Sequence, residues 1–119
     1  MQLSDYDIEC LHNAKSIIDA DLSRHLTIAT IAEKSGMGST KLKQSFKYYF
    51  GLPLFKYLRE ERMKKAKQLL EETKVTIKNI AKQTGYKHYR NFIKAYTSCH
   101  GSTPGKIRKQ QANKNPFAD

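Results

Sequence analysis

Between Thr73 and Ala118 the chain holds no aspartate or glutamate, against ten lysines and arginines. Acids gather at the other end. Residues 1–26 carry five (Asp5, Asp7, Glu9, Asp19, Asp21) and two bases, Lys15 and Arg24, while residues 27–119 carry six acids and twenty bases. A net charge of +11 thus divides into −3 and +14. Excess charge of one sign over the larger part is the footprint of a polyanion binder, with a basic but inert surface as the alternative that charge alone leaves open. Cysteine is scarce: Cys10 and Cys99 stand far apart, and neither pairs with His12, His25, His88 or His100 at zinc-ligand spacing. No metal or cofactor is expected, and no disulfide in a chain expected to be cytoplasmic. Cys99 is expected to be a small core residue. No apolar run reaches membrane-spanning length, and residues 1–15 hold three acids and no apolar core, so neither a membrane partner nor a signal peptide is expected. Nucleophile elbow, glycine-rich phosphate loop and paired carboxylates are all missing, which speaks against an enzyme.

What is present is a repeat. TIATIAEKSGMGSTKLKQSFKYYFG (Thr27–Gly51) returns as TIKNIAKQTGYKHYRNFIKAYTSCHG (Thr76–Gly101). Thr27, Ile28, Ile31, Ala32 and Gly36 match Thr76, Ile77, Ile80, Ala81 and Gly85. One residue is added after the second glycine, so that Leu42, Phe46 and Gly51 match Phe92, Tyr96 and Gly101. In each copy a threonine N-cap and an i, i+3, i+4 apolar stripe predict a short helix closed by glycine. Leu42, Phe46, Tyr49 and Phe50, at i, i+4, i+7, i+8, predict a longer second helix. Each copy therefore reads as a helix-turn-helix, with an ordinary helical hairpin as the alternative.

The outward faces favour the first reading. Opposite Leu42 and Phe46 on a 3.6-residue wheel lie Thr40, Gln44 and Lys47, flanked by Lys41, Lys43 and Tyr48. Opposite Phe92 and Tyr96 lie Arg90, Lys94 and Thr97, flanked by Asn91 and Ile93. Neither face carries a carboxylate. Both offer cations for phosphate and amide, hydroxyl or guanidinium groups for base edges. Tyr48 and Tyr89 are weaker candidates, for sugar stacking.

Around the repeats, Ser4-Asp5-Tyr6-Asp7 resembles a capping box opening a helix to about Asp19 that props the first repeat. A central helix is expected from Pro53, at its first position, to Glu72. Its inner face is expected to carry Phe55, Leu58, Arg62, Ala66, Leu69 and Leu70, with i, i+4 pairs Glu60–Lys64 and Glu61–Lys65 outside. At ~1.5 Å per residue it spans roughly 30 Å, near the ~34 Å between successive major-groove faces of B-DNA. Thr103 and Pro104 open a last helix to about Gln110, and residues 112–119 are expected to fray.

Gly36-Met37, Phe46-Lys47, Gly51, Tyr57-Leu58-Arg59, Arg62, Ala66, Leu69-Leu70, Ile80-Ala81, Gly85-Tyr86, Phe92, Lys94, Tyr96, Gly101 and Thr103-Pro104 together resemble the DNA-binding domain of the AraC/XylS family of bacterial transcription regulators. The match covers about Leu26 to Arg108. The resemblance implies an all-α fold of about seven helices, two helix-turn-helix subdomains joined by a long central helix. It assigns base-facing roles to Thr40, Lys43 and Gln44, and to Arg90, Asn91 and Lys94. Arg62 resembles an arginine with a structural role between subdomains. The family usually has Arg where Gln44 stands, often Arg at Lys94, commonly Ser at Gly38 and an acid or Ser at His88, so no family operator transfers to this chain.

The expected organisation is a first subdomain 1–52, a linker helix 53–72, a second subdomain 73–111 and a tail 112–119. The expected function is sequence-specific binding of double-stranded DNA that regulates bacterial transcription, with two recognition helices in successive major grooves. Lys41, Lys47 and Thr97 are the expected backbone contacts. The domain is expected to bind as a monomer and to be an excised piece of a longer regulator, dimeric through an absent N-terminal domain, with RNA polymerase a candidate partner. The alternatives are a non-specific nucleic-acid binder and a protein-interaction helical module.

Overall fold

The computed structural model describes residues 1–114. Among them are seven helices and no strand: α1 (Asp5–Ala20), α2 (Ile28–Ser35), α3 (Ser39–Phe50), α4 (Leu54–Glu72), α5 (Ile77–Gln83), α6 (Tyr89–His100) and α7 (Pro104–Lys114). The chain divides into two compact units, Met1–Arg59 and the part from Glu60 onward. Residues 53–72 do not form a body between them. Leu54 and Leu58 of α4 belong to the first core, and Met63, Ala66 and Leu70 to the second. The helix α7 runs four residues past the expected end at Gln110. The tail expected to fray at 112–119 thus begins in helix, and residues 115–119 lie outside the described part.

In the first unit Ser4 opens α1 with a full capping box: its hydroxyl accepts from Asp7 N, and the Asp7 carboxylate accepts from Ser4 N, both at 3.0 Å. Leu11, Ala14 and Ile18 form the buried stripe of α1 and pack with Ile31, Leu42, Phe46, Leu54 and Leu58. Thr27 caps α2 as its residue type predicts, accepting from Thr30 N. Gly36 ends α2 at φ 87°, a left-handed position that L side chains avoid. Tyr6 closes over it, so that a Cβ at Gly36 would lie 2.8 Å from the Tyr6 hydroxyl oxygen. Tyr49 and Phe50 of α3 pack edge-on against His12 of α1, and Tyr49 stays 41% exposed.

The second unit repeats the plan with different fillings. Thr76 caps α5, and Thr103 caps α7 with Pro104 as its first residue. Phe92 and Tyr96 are fully buried, as Leu42 and Phe46 are in the first unit. Tyr86 meets Phe92 edge-on at 5.6 Å, and the Arg62 guanidinium lies 5.8 Å from the Tyr86 ring centre. Burial pushes the Arg62 pKa down from its ordinary value, and the Tyr86 ring hydroxyl acts in the opposite direction. The helix α3 starts three residues after Gly36, and α6 four after Gly85, so the extra residue of the second repeat lies in the turn. Arg108 of α7 donates to the carbonyls of Leu69 (3.4 Å), Leu70 (3.5 Å), Thr73 (3.2 Å) and Val75, closing the C-terminal end of α4 and the link to α5.

Four expectations are corrected. Phe55 is 44% exposed, and Leu54, four residues before Leu58 and so on the same face, takes its place in the core; the Pro53 carbonyl accepts from Tyr57 N at the start of the helix. Met63 is the buried residue where Arg62 and Leu69 are only half-buried. Cys99 is exposed: His100, four residues after Tyr96, takes the half-buried position, meets the Tyr96 ring at 4.4 Å with a 53° tilt, and donates Nε2–H to the Met63 carbonyl. Lys64 pairs with Glu61 at i, i+3, at 3.1 Å, instead of with Glu60.

Candidate nucleic-acid interface

Both second helices of the repeats turn a polar face to solvent. Thr40, Lys43, Gln44 and Lys47 are exposed on α3, and Arg90, Asn91 and Lys94 on α6. Neither helix contains an acid. Among the described residues, none of the six base-facing candidates spends its side chain on an internal hydrogen bond or ion pair. The buried anchors on the opposite side, Leu42 and Phe46 or Phe92 and Tyr96, fix these faces outward.

The helix starts differ in a telling way. Ser4, Thr27, Thr76 and Thr103 cap α1, α2, α5 and α7 with side-chain oxygens. Gly38 and His88, before α3 and α6, make no side-chain cap bond. Their first-turn N–H groups and the positive dipole ends are left for an outside anion, which suits a phosphate.

The other expected contacts separate. Lys47 is exposed and forms no ion pair among the described residues. Lys41 has its ammonium 3.0 Å from the Asp7 carboxylate. Thr97 is half-buried, and its hydroxyl donates to the Ile93 carbonyl at 2.7 Å, so its proton is committed within its own helix. Tyr48 and Tyr89 are 60% and 41% exposed.

An open cleft of about 660 Å³ lies at the start of α6, lined by Lys78 of α5, Lys87 and His88 of the turn, and Tyr89, Arg90 and Asn91. Three cations and no carboxylate line it. Sequence reasoning did not single out Lys78 or Lys87. The signal available was the residue added to the second turn, since the matching stretch of the first repeat, Met37-Gly38-Ser39-Thr40, holds no cation. The units differ in charge accordingly, with eight bases against six acids up to Arg59 and fourteen against five beyond it. No metal-binding group of His, Cys, Asp or Glu occurs among the described residues, and no described helix is long and apolar enough to cross a membrane.

Fold and faces together define a double helix-turn-helix module of the DNA-binding class. The family of helix-turn-helix domains matches residues 31–110. An uncharacterized HTH-type transcriptional regulator of Bacillus subtilis, YtdP, is 32% identical over 99 residues, which is 83% of this chain and 13% of that protein. The Msm operon regulatory protein of Streptococcus mutans is 29% identical over 103 residues, 87% of this chain and 37% of that protein. A solved transcriptional regulator with an AraC-type DNA-binding domain, from Chromobacterium violaceum, is 30% identical and superposes with a TM-score of 0.77, covering 89% of this chain and 95% of its own. The chain belongs to the helix-turn-helix family of the AraC/XylS type. It spans well under half the length of the two curated relatives named.

Proposed function

We propose that the chain binds double-stranded DNA sequence-specifically in a bacterial transcription regulator, each unit presenting one recognition helix to a major-groove segment. Thr40, Lys43 and Gln44 of α3 and Arg90, Asn91 and Lys94 of α6 face base edges. Lys47 and the cleft cations Lys78 and Lys87 face phosphates. The observation that carries this reading is the pair of exposed, acid-free faces on α3 and α6, whose starts make no side-chain cap bond. Gln44 can grip adenine with two hydrogen bonds, and Arg90 guanine with two. The domain acts on DNA as a monomer, in the cytoplasm and without catalysis, and RNA polymerase is its candidate protein partner. Effector sensing and dimerisation belong to other parts of longer regulators.

The test is a binding-site selection from random duplexes, run on the wild-type chain and on single variants. Each good bidentate contact is worth ~1–3 kcal/mol of discrimination. Gln44→Ala should relax preference in one half of the site and Arg90→Ala in the other. Lys47→Ala should weaken all sequences alike and reduce the salt slope by about 1. If Gln44→Ala and Arg90→Ala blur the same base pairs, the two-segment reading is wrong. Equal affinity for selected and random duplex would instead indicate a non-specific binder.

A further inference from the structure

Helix α1 lies ahead of the stretch that matches the family, yet besides its core packing it makes two polar contacts around the start of α3. Tyr6 donates its hydroxyl to the Gly36 carbonyl at 2.9 Å, in the turn before the recognition helix. Asp7 Oδ1 stands 3.0 Å from Lys41 Nζ, in the first turn of that helix. The Asp7 side chain is only 9% exposed, and its second oxygen already accepts from Ser4 N at 3.0 Å. The carboxylate is therefore fixed in place, and only the lysine chain has to be ordered to complete the pair. Such a pair persists where a pair in open solvent, such as Lys64–Glu61, contributes little.

The consequence concerns charge at the DNA face. Lys41 flanks the outward side of α3, where a free ammonium would reach phosphate. A fixed carboxylate at 3.0 Å cancels that charge locally. The matching residue of α6, Asn91, is uncharged and needs no such partner. We propose that Asp7 withholds Lys41 from phosphate, trimming the sequence-independent grip of the first recognition helix so that Thr40, Lys43 and Gln44 discriminate. This rests on the DNA-binding reading above. Phosphate contacts supply essentially all of non-specific affinity, so removing one favours the specific site over the bulk of competing DNA.

The test is a double-variant cycle on the full chain, reading the slope of log affinity against log salt with random and selected duplexes. Asp7→Asn keeps an acceptor for Ser4 N and deletes the charge, and Asp7→Ser does the same with a smaller group should the amide not fit. Circular dichroism and melting confirm that each variant is folded. The expected result is a slope steeper by about 0.9, the value of one further phosphate contact, with several-fold tighter binding to random duplex. Adding Lys41→Met should then remove about one unit of slope from the Asp7→Asn chain, and clearly less from the chain that retains Asp7. A slope in Asp7→Asn no steeper than wild type overturns the proposal. So do equal losses on Lys41→Met in both backgrounds, because Lys41 would then reach DNA regardless of Asp7. A wild-type chain with no salt-dependent DNA affinity sinks the DNA-binding reading itself, a different outcome from either.

Discussion

Replacing Arg108 should loosen the second unit, although the residue lies in the last helix and outside the proposed DNA face. Its guanidinium donates to four carbonyls, those of Leu69, Leu70, Thr73 and Val75. These carbonyls lie at the C-terminal end of α4 and in the link to α5, where a positive charge also meets the negative end of the helix dipole, and that of Leu69 already accepts from Thr73 N and Oγ1. Hydrogen bonds from a charged donor contribute ~1.5–3 kcal/mol each when well formed. Two of the four, at 3.4 and 3.5 Å, are long, and the carbonyl of exposed Thr73 can turn to water. We therefore expect Arg108→Met, which keeps the apolar stem, to cost about 2–3 kcal/mol rather than the full sum. Arg108→Lys should recover the charge term but not the fork, because one ammonium cannot reach carbonyls spread over seven residues of chain. Urea unfolding of the three chains, with hydrogen exchange to locate the loss around Thr73–Val75, measures both. A cost below ~0.5 kcal/mol for Arg108→Met, the range of ordinary surface substitutions, would refute the clamp.

Phe46 is fully buried, with Phe50 and Tyr57 rings 4.6 and 5.9 Å away. Phe46→Ala should cost roughly 3–5 kcal/mol in urea melts, and a loss below ~1 kcal/mol would mean that the ring is not the anchor of α3. The Tyr96 hydroxyl is buried with no partner among the described residues, and that burial raises its pKa. Tyr96→Phe should therefore hold stability or raise it, by at most ~1–3 kcal/mol, and measurable destabilisation would show that the hydroxyl is paired. The Asp7 carboxyl is held below its ordinary pKa, first by Ser4 N–H and then by Lys41. The folded state then releases this proton more readily than the unfolded one. The contribution is fully present above the unfolded value of about 3.9 and drains away as pH falls through the lower folded value. Melting temperatures of wild type and Asp7→Asn should differ near neutrality and converge in acid, and a constant gap down to the lowest pH would contradict the assignment.

Much of this was legible in the chain. The repeat placed four helices. Ser4, Thr27, Thr76 and Thr103 marked starts because a short side-chain oxygen is the group that satisfies first-turn N–H. Gly36 and Gly85 marked the turns, both at φ 87°. Phe46 and Tyr96 followed from the 3.6-residue period, and that period also sent Thr40, Gln44, Arg90 and Lys94 outward. At helix ends it lost its force. In the first turn of α4 the core position went to Leu54 instead of Phe55, and in the last turn of α6 the covered position went to His100 instead of Cys99.

The sequence by itself determined the class of fold, the two acid-free outward faces and the excess of positive charge. All are local properties of periodicity, capping and composition. Only the tertiary structure decided which cations are free to act. Lys41 and Lys47 look alike in the chain, yet Asp7, 34 positions from Lys41, holds that one, and no described acid holds Lys47. Arg108 looked like one more base in an acid-free stretch, and it closes the end of α4 from 33 to 39 residues away. Lys78 of α5 and Lys87 of the turn, nine positions apart, share a cleft with Arg90 of α6. Partners so far apart leave no periodic signal, since what joins them is the packing of one helix on another.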